Sequence, residues 1–255
     1  MPLPVRPPGL PGPEPIDRTA PAAGGAARPG AEERTSTARA YARAAGLSGV
    51  VFAVLFAVAL VLVRQAPRLG DPDAVYAAYY ASDSRNLLVT LGLYVVPFAG
   101  IACLWHMIAT RTLLQVLAPA SWSRIPHWLQ LASGILFVGM LFVGTAAVGG
   151  VALLTRFSDS PPPSPEIARA LAAVGYAMVF VYGVRAAGMY MIATTGLART
   201  VGLLSGPAAA VSYLVAAFLL VSTTFHPAIL LVFPAWVLVL SIVLLVRRPT
   251  GAKTT

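Results

Sequence analysis

The chain has 255 residues, 58% of them hydrophobic and 11% charged. Soluble domains carry about 25% charged residues, so an ordinary soluble enzyme is excluded. A net charge of +9 would suggest a nucleic-acid partner in a soluble protein. Here the basic residues sit mostly in tails and short loops, where they orient a membrane protein, and none form a patch interleaved with aromatics. No nucleic acid is expected.

Residues 1–43 read as a disordered cytoplasmic tail. Pro2, Pro4, Pro7, Pro8, Pro11, Pro13, Pro15, Pro21 and Pro29 interrupt any regular element, and the stretch has little apolar surface to offset the entropy of ordering. It lacks the features of a secretory signal. Six apolar segments follow, about 44–63, 87–109, 129–154, 168–194, 202–222 and 227–246. Each approaches the roughly 20 residues that cross about 30 Å of hydrocarbon as a helix. The expected fold is all-α: a polytopic bundle of six transmembrane helices over 44–248, with a short tail at 249–255. Strands of alternating polarity, as a β-barrel needs, are absent.

Basic residues set the expected orientation. With a cytoplasmic N-terminus the inner side holds Arg34, Arg39, Arg43, Arg111, Arg124, Arg199, Arg247, Arg248 and Lys253. The outer side holds Arg64, Arg68, Arg85, Arg156 and Arg169. This favours both termini inside. Only Lys253 among the basic residues is a lysine, and Ala, Gly and Pro abound. That bias suits a GC-rich bacterial coding sequence and a multi-pass protein of the bacterial plasma membrane.

The outer loop 64–86 carries Tyr76, Tyr79 and Tyr80, which share a face if 73–84 is helical. A short interfacial helix is expected there, with an aromatic lid over an outward cavity as the alternative. The inner loop 110–128 carries Trp122 and Trp128, which suit an interface. Pro97, Pro207 and Pro234 lie in or near helices and are candidate kinks. Gly134, Gly139, Gly144 and Gly149 recur every five residues, which spreads them around the helix and suggests loose packing rather than a dimer motif.

Arg185 lies well inside the fourth segment. A charge there costs about 2.5–3.5 kcal/mol on insertion scales. None of the six segments contains an acidic residue, so its partners must be carbonyls, hydroxyls, aromatic faces, water, headgroups or an anion. Snorkelling to the cytoplasmic interface is the favoured reading, and a polar site is the alternative. His106 sits on a stripe of small residues with Ala99, Ala102, Cys103 and Ala109, beside a bulky face of Tyr94, Phe98, Ile101 and Trp105. By depth alone, Arg185, His106, Trp105 and Tyr182 form a candidate intramembrane polar cluster, with a cation–π contact to Trp105 or Tyr182.

Signatures of hydrolases, zinc proteases and nucleotide-binding loops are absent. The lone cysteine, Cys103, and the separated His106, His127 and His226 have no metal spacing, so no catalytic residue, metal or cofactor is expected. Two stretches, 93–105 (LYVVPFAGIACLW) and 133–142 (SGILFVGMLF), with Tyr182–Arg185, Met189–Thr195 and Leu231–Trp236, resemble a family of uncharacterised actinobacterial integral membrane proteins. The resemblance spans about 87–246. It implies six spans and makes Arg185 and Trp105 family features, but implies no activity. The family's inner loop is charged with acidic residues, whereas 110–128 has only Arg111 and Arg124. The favoured function is a non-catalytic membrane component of the lipid bilayer that packs with a protein partner or a second copy, or senses lipid. A transporter or permease subunit, such as the membrane half of an ATP-driven exporter, is the first alternative. A lipid-modifying enzyme using His106 and Arg185 is the second.

Overall fold

The computed structural model describes residues 30–118, 125–158, 161 and 163–246. The tail before Gly30, the residues Trp122, Arg124, Arg247 and Arg248, and the tail 249–255 lie outside the described residues. The elements are α1 (Ala31–Val63), α2 (Asp73–Tyr80), α3 (Asp83–Leu117), α4 (Ile125–Phe157), α5 (Pro165–Tyr176), a π-helical turn (Ala177–Gly183), α6 (Val184–Thr200), α7 (Gly206–Val221) and α8 (Ile229–Val246). Among the described residues there is no strand.

Five helical stretches are long and apolar enough to cross a membrane: Glu32–Val63, Leu87–Leu117, Ile125–Phe157, Pro165–Thr200 and Ile229–Val246. The segment expected at 202–222 is apolar, but its helix has only 16 residues. At 1.5 Å per residue that is about 24 Å, short of the hydrocarbon thickness. Its ends explain the shortfall. Gly202 adopts φ 74°, and Leu203 N–H donates to the Ala198 carbonyl at 2.8 Å, which terminates α6. Pro207 occupies the first turn of α7, where it starts the helix rather than kinking it. Pro97 and Pro234 are inside α3 and α8, as expected.

Other boundaries also move. Residues 31–43 belong to α1 rather than to a tail. From Ala31 to Ala45 no Pro or Gly intervenes, Ala and Arg are strong helix formers, and Glu32 and Glu33 suit the positive end of the helix dipole. The 110–128 loop contracts because α3 continues to Leu117 and α4 begins at Ile125. Arg111 of α3 lies 4.8 Å from the ring centroid of Trp128 on α4, so these residues bridge the helices. The fourth segment is one rod from Pro165 to Thr200, interrupted by the π turn.

α1 packs along α3 and α8, α4 contacts α3, α5, the π turn and α6, and α6 packs on α7. Because α4 has neighbours on several sides, glycines spread around it serve different contacts. Gly134 faces Met107 and Tyr190, Gly144 faces Gly175 and Val179, and Gly149 faces Leu93. Of the four recurring glycines, only Gly139 looks onto open space. The expected loose packing is therefore corrected: three of these four glycines are points of close approach.

Helix α2 forms over Asp73–Tyr80, shorter than 73–84. Its Tyr76 and Tyr79 are buried, Tyr76 beside Val151 and Ala168, Tyr79 beside Val89 and Ala152. They seal the α2 end of the bundle from within and do not form a lid. Burial pushes the Tyr79 hydroxyl up, and pushes that of Tyr80 up to about 12, so both are neutral near pH 7. Arg169 locks α2 to α5: it donates to the Asp73 carboxylate at 2.8 Å and to the Asp71 carbonyl at 2.9 Å, and stacks over the Tyr76 ring.

Candidate functional site

Arg185 opens α6, directly after the π turn. A π turn widens the hydrogen-bond ladder and leaves carbonyls short of partners. The guanidinium supplies donors to them. One nitrogen donates to Val181 O at 2.8 Å and Phe180 O at 3.2 Å; the other donates to Ser222 O, just past α7, at 3.2 Å. Arg185 thus pins the π turn to the far end of α7. The expected reach toward the Thr200 end is corrected, because its donors point back toward the N-terminal side, as helical side chains do.

His106 is fully buried between α3 and α1. Its Nδ1–H donates to the Ala45 carbonyl at 2.8 Å, since a carbonyl only accepts; Nε2 has no hydrogen-bond partner among the described residues. Gly49 of α1 makes room for both His106 and Ser241 of α8, because a Cβ there would meet both side chains. The stripe Ala99, Ala102, Cys103 and Ala109 is buried as well. Trp105 and Tyr182, by contrast, are 62% and 55% exposed on the outer surface of the bundle. The four residues expected to cluster are therefore not gathered. His106 engages α1, Arg185 engages the π turn and α7, and the two aromatic rings face outward. The cation–π contacts that do occur pair Arg111 with Trp128 and Arg169 with Tyr76.

A different polar group lies between α4 and α6. Gln130 Nε2 donates to Thr194 Oγ1 at 3.0 Å, and Gln130, Tyr190, Thr194 and Thr195 are almost wholly buried. Sequence reasoning overlooked it by weighing charged residues and passing over neutral ones. The helical spacings Gln130–Ser133 and Tyr190–Thr194 were the available signal. Across the α7–α8 pair, Trp236 Nε1 donates to Ser212 Oγ at 3.0 Å. These are neutral clamps between helices, with no charged acid or base among them.

An apolar groove of about 580 Å³ lies between α7 and α8, and a smaller cavity of about 160 Å³ that can take a ligand lies near the α2 end. Its wall includes Phe56, Leu60, Val96, Leu141, Val179 and Leu230, with Arg64 and Arg68 at its rim. Neither guanidinium makes a hydrogen bond or ion pair with another described residue. Among the described residues no three His, Cys, Asp or Glu side chains converge as a metal would require. No protein-family model, no curated protein and no solved structure matches this chain.

The bonds of Arg185 set its expected worth. Two of the three lie within its own rod and persist when helices separate. Only the Ser222 bond joins helices, and interhelical side-chain bonds in membranes average about 0.6 kcal/mol, with a maximum near 1.7. Arg185→Leu should lower stability by about 1 kcal/mol, and Arg185→Lys by less. Thermal unfolding in detergent checks this, and collapse of the Leu variant would refute it.

Proposed function

We propose that the chain is a six-span integral membrane protein with both termini cytoplasmic in a bacterial plasma membrane, and that it is a non-catalytic component that binds rather than transforms. One observation carries this reading. The interior polar side chains of His106, Gln130 and Arg185 are engaged in joining or bracing helices, and none of them lines the apolar-walled cavity. The basic-residue bias supports the orientation. α7 crosses as the sixth span if the bilayer thins locally or flanking polar residues reach its faces.

Single cysteines in a Cys103→Ala background test it. In intact cells an impermeant maleimide should label Thr224→Cys, while Ser205→Cys should need permeabilisation. Labelling of both from one side would remove α7 as a span. A transporter subunit is the second reading, favoured because Val179 and Phe180 of the deformable π turn line a cavity near one end of the bundle. It requires Thr145→Cys, in the cavity wall, to label from both faces; the binding reading requires one face.

A further inference from the structure

We propose that the cavity at the α2 end holds an anionic phospholipid, its phosphate on Arg64 and Arg68 and the start of one acyl chain between Phe56, Leu141, Val179 and Leu230. This rests on the membrane-spanning reading above.

The cavity exists because one hairpin is short. The α7–α8 connection climbs only to the level of Phe180, whose ring centroid is 5.8 Å from that of Phe225. Just beyond it, Pro227 and Leu230 line the cavity opposite Phe56. From Phe56, α1 continues to Val63, seven residues or about 10 Å at 1.5 Å each. Beyond Phe56 the cavity is lined by Ala59, Leu60 and Val63 of α1, Thr145 and Val148 of α4, and Gly175 and Tyr176 at the end of α5. The step is apolar below, where Ala59 and Leu60 line it, and ends at Arg64, the first charge after the apolar run. An apolar shaft capped by cations at the level of the bilayer interface complements an amphiphile with an anionic head.

The two arginines are free to meet it. The nearby carboxylates are already used: that of Asp71 accepts from the Arg68 backbone N–H at 2.8 Å, and that of Asp73 pairs with Arg169. Guanidinium forks match phosphate oxygens in bidentate pairs. A volume of about 160 Å³ fixes how much chain enters. A cavity of about 150 Å³ in an unrelated protein takes one benzene ring, so roughly six carbons fit and the remaining chain lies along the bundle. Inorganic phosphate would satisfy the arginines and leave the apolar wall unfilled.

The test uses the full chain, purified in detergent and stripped of lipid. Dioleoyl phosphatidylglycerol, dioleoyl phosphatidylcholine, oleate and inorganic phosphate are added separately, with retained ligand read by native mass spectrometry and stability by thermal unfolding. Phosphatidylglycerol should be retained roughly 25-fold over phosphatidylcholine, because each of the two basic residues near an anionic headgroup is worth about fivefold. Arg64→Gln with Arg68→Gln, whose side chains are exposed and make no hydrogen bond or ion pair among the described residues, should abolish that preference with the fold intact. Ala59→Phe should lower retention of both lipids by filling the shaft. Equal retention in the native chain, or a preference that survives the double substitution, overturns the proposal. So does unchanged retention in a folded Ala59→Phe variant. If that variant fails to fold, the arginine pair decides. Tighter binding of oleate would assign the cavity to a free carboxylate, and full stabilisation by phosphate alone would remove the acyl chain; either overturns it. Resistance to alkaline carbonate extraction reports membrane integration separately, so a membrane-integral chain with no lipid preference refutes this inference alone.

Discussion

Gly175→Leu should abolish the monodisperse folded protein in detergent, while Gly139→Leu should behave as the native chain does. A Cβ at Gly175 meets the backbone of α4, at the Gly144 carbonyl and the Val148 nitrogen, as well as the Val148 side chain. A Cβ at Gly144 reciprocally meets the Gly175 carbonyl. Backbone cannot rotate aside as a side chain can, so α4 and α5 must separate. Overpacking a well-filled core costs about 1–3 kcal/mol and sometimes more, and this case belongs at the upper end. Once helices part in lipid, no hydrophobic force draws them back, since lipid tails are as apolar as leucine. Gly139 lies on α4, as Gly144 does, with nothing within 4 Å of a new Cβ, so its change should stay within about 0.5 kcal/mol. Thermal midpoints and size-exclusion profiles decide between them. Equal behaviour of the two variants would refute the close crossing.

Phe233→Ala should cost roughly 2–3 kcal/mol, and Phe233→Leu about half of that. Phe233 of α8 has ring centroids 5.9 Å from Phe52 on α1, 4.6 Å from Phe137 on α4 and 5.8 Å from Tyr190 on α6. One ring therefore ties α8 to three other helices. In water-soluble cores Phe→Ala costs about 3–5 kcal/mol. Part of that is transfer from water, which a lipid-solvated unfolded state does not supply; the dispersion and cavity losses remain. Phe225, about half exposed and in ring contact among the described residues only with Phe180, at a tilt, is the control: Phe225→Ala should cost well under 1 kcal/mol. If the two alanine variants unfold together, the four-helix junction is not where α8 is held.

Much of the architecture was legible before any coordinates. The bilayer admits long apolar helices almost residue by residue, so the segments ending near Val63, Ala109, Leu154 and Val246 announce themselves through composition. The division of α3 into a bulky face and a small-residue stripe also followed from helical period alone, whereas the structure decided that the bulky face points outward. Boundaries were harder. Ala31–Arg43 looks like tail by charge yet is helix by propensity, and α7 looks long by hydropathy yet is trimmed by Gly202 and Pro207 at one end and by the Ser222–Pro227 stretch at the other.

The candidate site was the least legible part. Hydropathy gives the depth of a residue only loosely, and it says nothing about which neighbour lies across the interface. Arg185 and His106 share the membrane interior in sequence, but the axial register of α6 against α7 hands one to Ser222, and the register of α3 against α1 hands the other to Ala45. The π turn leaves no mark in hydropathy, since Ala177–Gly183 is as apolar as its flanks. The cavity depends on a difference in height between one hairpin and the helices around it, with Arg64 and Arg68 at its rim. Composition determined that the chain is built of apolar helices, because each residue answers to its solvent independently. Only tertiary structure decided which groups meet, because register and rotation about a helix axis are fixed by contacts far apart in the chain.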